Sequence, residues 1–277
     1  MRLGCVNWRR KKMDSDRCGF VMLTNVFVPC NGRFPLLISL ASIFFAGTGG
    51  NSLIAAAAVS GLVLFGILVT FGVSWILSRT LLRGVPSRFI LELPPFRWPK
   101  IGSLLIRSFL DRTIFVLGRA VTVAAPAGAL TWLLANIHLE GQSLLNLGAG
   151  YLHPLARFLG LDGYILLAFI LALPANELVL PLLLMAYLNL GTLVELDGLD
   201  ALASLLKFHG WTWTTALSVM LFSLLHYPCA TTLLTIYKET RSLKWTVLAF
   251  LVPLVVASGV LLLLNLVFFT KVNFSWN

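Results

Sequence analysis

The sequence predicts an all-α integral membrane protein of about five transmembrane helices plus one re-entrant hairpin, with helices broken at Pro-Cys motifs. Three observations predict it. Apolar residues make up 58% of the 277 and charged ones 12%, with mean hydropathy +0.89, too little polar surface to cover a soluble globule of this size. The basic residues fall in blocks flanking apolar runs, the pattern of the positive-inside rule. Several apolar runs are interrupted by proline and glycine, and in hydrocarbon a broken helix must be buried in protein or line a cavity, because every freed backbone group needs a partner.

Composition also excludes. A net charge of +10 is compatible with nucleic acid, but its placement beside apolar runs makes membrane lipid the expected partner and nucleic acid none. Cysteines stand at 5, 18, 30 and 229 with no CxxC pair, so neither a zinc ribbon nor a secreted disulfide scaffold is indicated. No nucleophile and base pair is visible, so the chain is not expected to be an enzyme. The start shows charge and then an apolar run without a small-residue cleavage site, which predicts a cytoplasmic N-terminus in a multi-pass protein.

Residues 1–19 form a basic cytoplasmic N-terminal segment, suited to anionic headgroups. From Phe20 to Ala46 the chain is apolar except at Pro29-Cys30-Asn31-Gly32-Arg33-Phe34-Pro35, which predicts two half-helices meeting at an unwound piece. Gly47 to Ser52 is a turn, and Leu53 to Leu77 an uninterrupted crossing. The stretch 78–137 is a central core whose polar part, Ser78 to Arg119, is cytoplasmic by its arginines. Its extended core is Glu92-Leu93-Pro94-Pro95-Phe96-Arg97-Trp98-Pro99, followed by an interfacial helix at Ile101 to Arg112 and a crossing at Thr113 to Ile137, kinked at Pro126. Residues 138–163, nearly free of lysine and arginine, read as an external loop.

Tyr164 to Leu190 is interrupted at Leu173-Pro174-Ala175-Asn176-Glu177, and 191–209 is acidic and also reads as external. A segment between two external stretches cannot cross once, so it must be re-entrant with the Pro174 break at its tip. Thr214 to Tyr237 crosses with a break at His226-Tyr227-Pro228-Cys229, and Trp245 to Phe269, within 241–277, crosses last.

The strings FVPCNGRFP, ELPPFRWP, PANELVLPLLLMAY and SLLHYPCATTLLTIYKETRSLKWT closely resemble, in the same order, the membrane half of the ferrous iron transporter B (FeoB) family. On this resemblance 20–77 matches the end of the first Gate region, 78–137 the central core and 164–240 the second Gate region. The resemblance implies Fe2+ as the transported ion at the plasma (inner) membrane, gated by GTP. Neither comes from composition or spacing. No GxxxxGK[ST] occurs, so GTP would act through a missing domain or a partner, and the chain reads as the C-terminal portion of a split or truncated transporter. Expected partners are a GTPase-bearing N-terminal half, small accessory Feo proteins and further copies of the chain; no cofactor is expected to be bound by the chain itself.

Fe(II) accepts thiolate, imidazole, carboxylate and amide or carbonyl oxygen. The metal or substrate path is therefore expected at Cys30 and Cys229, with Asn31, Asn176, Glu177 and His226, the two Pro-Cys breaks facing each other as a thiol-lined constriction. The alternatives are a Gate-type transporter of an organic solute such as a nucleoside, with Asn176, Glu177 and Thr231 as hydrogen-bonding groups, and a membrane fragment without function of its own.

Overall fold

A computed structural model describes residues 12–47, 51–80, 102, 106, 109–139, 142–188 and 198–274. The Glu92 to Pro99 stretch, most of the interfacial segment at 101–112, the start of the basic N-terminal segment and the acidic residues Glu195 and Asp197 lie outside the described residues.

The chain is helical almost throughout the described residues, as its sequence predicts. Helix α1, Lys12–Asn25, starts well before the apolar run begins at Phe20. A break at 26–30 leads through a 3-10 turn, Asn31–Arg33, into α2, Phe34–Ala41, which ends in a π-helical turn at Ser42–Ala46. Pro35 sits in the first turn of α2, where its missing N–H costs nothing. Helix α3, Ser52–Thr80, is started by the Asn51 carboxamide, which accepts from the Leu53 N–H at 3.2 Å, and contains no proline. After a π-helical turn at Phe109–Ile114, α4 covers Phe115–Asn136 and runs through Pro126.

The stretch read as an external loop is mostly structured. It holds a pair of two-residue strands, β1 His138–Leu139 and β2 Gln142–Ser143, then α5, Leu144–Phe158, capped by Ser143 accepting from the Asn146 N–H. Helix α5 turns through 107° into α6, Gly163–Leu171. The bend brings backbone to backbone at Gly163, where a β-carbon would collide with the Ala149 carbonyl oxygen, so only glycine fits.

Past the Pro174 break and a 3-10 turn at Asn176–Leu178, α7 spans Val179–Leu188. Tyr164 at the start of α6 and Tyr187 at the end of α7 have ring centroids 5.5 Å apart. The two arms thus return to the same level, the geometry of a hairpin. Trp211, just ahead of α9, donates to the Tyr187 hydroxyl at 2.9 Å at that level. Helix α8 is Leu199–Phe208; α9, Trp213–Leu225, and α10, Ala230–Thr240, flank the His226–Cys229 break; α11 is Leu243–Phe274.

Among the described residues three helical spans are long and apolar enough to cross a membrane: 52–80, 213–240 and 243–267; α5 and α6 qualify only together, across their bend. The broken span is 61% buried over its most apolar window, against 17% for α3 and 22% for α11, so the interrupted segment lies inside and its unbroken neighbours form the outer surface. Leu64, Phe71 and Trp75 of α3 and Val255 and Leu263 of α11 project outward as lipid-facing side chains do. The core closes around Phe27, Leu37, Leu40, Phe169, Leu183, Met220 and Leu224, drawn from α2, α6, α7, α9 and the first break.

Candidate functional site

The three breaks meet. The 3-10 turn at Asn31–Arg33 packs against the one at Asn176–Leu178. The third break is tied to both: the Ala230 N–H donates to the Leu173 carbonyl at 2.8 Å, and the Tyr227 hydroxyl donates to the Phe169 carbonyl at 2.8 Å. Each bond satisfies a carbonyl near the end of α6 that has no partner within its own helix.

The strongest link comes from Arg33. Its guanidinium, 2% exposed, donates to the carbonyl oxygens of Leu224 at 2.7 Å, His226 at 3.1 Å and Tyr227 at 3.1 Å. These oxygens belong to the last turn of α9 and the break that follows, where helical partners run out and the helix dipole is negative. A planar fork of donors suits such a set better than an ammonium would. Arg33 falls outside the residues the sequence singles out for the site, although it is an ionisable group inside an apolar run, the same signal that marks Glu177.

Cys30, Cys229 and Asn176 line one cavity of about 280 Å³, together with Asn25, Arg33 and Thr232. Both thiols are free, Cys30 exposed and Cys229 half-buried. The Asn176 amide lies 4.0 Å from the Cys30 sulfur, and Cys229 Sγ is 3.0 Å and 3.2 Å from the hydroxyls of Thr231 and Thr232. The cavity thus offers two sulfurs, the carboxamides of Asn25 and Asn176 and the Thr232 hydroxyl.

The other expected residues lie elsewhere. Asn31 is exposed and lines neither this cavity nor its neighbour. Glu177 lines a second cavity of about 350 Å³ with Gly32, Pro35 and residues of α7 and α8. The paired turns alternate: Arg33 and Asn176 serve the thiol cavity, Gly32 and Glu177 the other. They therefore stand between the two. His226 is 1% exposed and absent from both linings. Its Nδ1 faces the carbonyls of Phe222 at 3.0 Å and Ser223 at 2.9 Å, so that nitrogen carries the proton, and the ring is clasped by Phe169, Phe222 and Tyr227. Its carbonyl, not its imidazole, makes the link to Arg33. Among the described residues no three His, Cys, Asp or Glu side chains converge as a metal-holding group.

Comparison with known proteins places this arrangement. Residues 59–111 match the family model described as ferrous iron transport protein B C terminus, and residues 117–243 the Gate model, described as nucleoside recognition. The second and third breaks fall inside the Gate match; the first lies outside both. The chain is 30% identical over 242 residues to the Fe(2+) transporter FeoB of Staphylococcus aureus, covering 83% of this chain and 33% of that protein. It is 29% identical over 260 residues to FeoB of Synechocystis sp., covering 92% and 39%, and 24% identical over 268 residues to FeoB of Methanocaldococcus jannaschii, covering 92% and 37%. The chain thus spans about a third to two fifths of the length of these curated relatives. No solved structure matches it.

Proposed function

Because the chain belongs to the ferrous iron transporter B family, as a C-terminal membrane part, we propose that it forms the permease portion of a GTP-gated Fe2+ uptake system in the plasma (inner) membrane. The observation that carries this reading is the convergence of two Pro-Cys breaks, far apart in sequence, on one cavity. A conducting site must strip water from the ion yet release it, and two sulfurs with amide and hydroxyl oxygens meet that need better than a closed four-ligand cage. Soft sulfur and borderline Fe(II) are also matched in kind.

In this reading the chain crosses about five times, with α6 and α7 as the re-entrant hairpin and the basic segments cytoplasmic. The Glu177 cavity, bordered by Gly198, Leu199 and Leu202, then lies toward the outer face. The thiol cavity, bordered by Asn25 at the end of α1 and Thr232 of α10, lies toward the inner one. Fe2+ would meet the Glu177 carboxylate first and the thiols second. GTP binding would reach the site from a GTPase-bearing segment or partner, with accessory Feo proteins and further copies of the chain as other candidates for assembly.

The test is radiolabelled Fe2+ uptake under reducing conditions in cells lacking their own ferrous transporters. The chain is expressed alone, with a GTPase-bearing FeoB N-terminal half, and with that half plus Cys30→Ser and Cys229→Ser. Uptake that needs the partner and both thiols is expected. Nucleoside uptake indifferent to the two cysteines would instead favour an organic solute, and no Fe2+ uptake from protein present in the membrane would sink the transport reading.

A further inference from the structure

Among the described residues lining the thiol cavity, Arg33 is the one charged side chain. No carboxylate among the described residues lies within ion-pair distance of it, and its Nε–H is buried without a partner. Its other nitrogens hold three carbonyl oxygens of the third break. A positive charge thus stands beside Cys30 and Cys229 without a compensating negative one, in surroundings where charges act on each other far more strongly than in water. Converging carbonyls are also what membrane channels and transporters use in place of an ion's hydration shell. Here that oxygen set is already filled, by a cation of the chain itself.

We propose that Arg33 is a tethered cation: in the ion-free protein it occupies the carbonyl set of the third break, and a divalent cation binding between Cys30 and Cys229 must displace or outweigh it. This rests on the reading of the cavity as a Fe2+ site. The guanidinium then has two effects of opposite sign on function. It orders the break by satisfying oxygens that water cannot reach, and it weakens ion binding by its charge, which favours release over retention.

The two effects separate in a metal titration. The full chain, with Cys5 and Cys18 changed to serine so that only Cys30 and Cys229 react, is placed in lipid nanodiscs without oxygen. Maleimide alkylation of each thiol is followed against free Fe2+. Arg33→Gln keeps two N–H donors and removes the charge; the Fe2+ concentration giving half-protection is expected to fall about tenfold or more. Arg33→Lys keeps the charge but not the fork, and half-protection is expected within about threefold of the parent. A side chain that only holds the fold together would raise that concentration in both variants.

Unchanged or weakened protection in Arg33→Gln, with the parent protected, overturns the inference and leaves the Fe2+ site standing. Absence of protection in the parent and every variant overturns the site and the inference together. Should the glutamine variant fail to reach the membrane, the lysine variant decides alone. A change beyond about threefold in either direction there overturns the inference, because charge is then not what sets ion affinity.

Discussion

Arg33 Nη1 donates a 2.7 Å hydrogen bond to the carbonyl of Leu224, a residue 191 positions further along the chain. With the bonds to His226 and Tyr227 it joins the first break to the third without any side chain of the third taking part. Arg33→Met keeps much of the apolar stem and removes every donor, leaving three carbonyls unmet inside the membrane. Part of that loss is offset because a charge no longer has to be buried, so the expected net destabilisation is about 2 kcal/mol. Thermal unfolding in detergent, followed by tryptophan fluorescence, checks it; an unchanged midpoint would show that the carbonyls find other partners.

Gly32 and Glu177 provide a second test, because they meet where the two 3-10 turns touch. A β-carbon at Gly32 would stand 3.6 Å from the Glu177 nitrogen and 3.8 Å from its Oε2, ordinary contact distances. Gly32→Ala is therefore expected to retain Fe2+ uptake within about a factor of two, while Gly32→Leu wedges the turns apart and costs about 1–3 kcal/mol of packing strain. Uptake and thermal stability measured on both variants decide the matter. A strong loss with alanine would mean that the turns close more tightly during transport than they do here.

Gly163 is the hinge of the 107° elbow between α5 and α6, against the Ala149 carbonyl. Even a methyl group forces backbone to move there, so Gly163→Ala is expected to destabilise by about 1–3 kcal/mol and to raise proteolysis between 159 and 162. Limited proteolysis in nanodiscs reads this directly. A protease pattern identical to that of the parent would argue that the elbow opens at little cost.

Tyr227 ties the third break to the hairpin through the carbonyl of Phe169. Tyr227→Phe keeps the ring, which stacks on Phe250 at 4.8 Å, and removes only the donor. The loss expected is about 1–2 kcal/mol for one buried hydrogen bond, with Fe2+ uptake reduced but present. Combining it with Arg33→Met measures coupling: the two changes act on neighbouring parts of one break, so their effects should not simply add.

The breaks were legible in the sequence because proline removes a donor wherever it stands, and Pro29, Pro174 and Pro228 each precede a helix start by a few residues. That Cys30 and Cys229 would share a cavity followed from the doubled Pro-Cys step. Which oxygens Arg33 would hold did not, since backbone carbonyls carry no residue code and their availability depends on where a helix ends in space. His226 shows the converse: its side-chain chemistry suggests a ligand, but Nδ1 is taken up by carbonyls of its own helix and only its backbone carbonyl meets Arg33. The external-loop reading of 138–163 rests on the near absence of lysine and arginine, which bears on sidedness and not on secondary structure, and the Ser143 cap and packing on α6 hold α5 helical despite Gly148, Gly150 and Pro154.

The partition between the two cavities is only one helical turn thick on each side, Asn31–Arg33 against Asn176–Leu178. A shift of the first turn would have to stretch the Arg33 bonds to Leu224, His226 and Tyr227 before the two spaces could join. One of those turns hangs from α1 by residues 26–30 alone. Phe27 in that link is fully buried in the core, so the turn cannot shift without carrying core packing with it, and the thinness of the partition is matched by how firmly its edge is held.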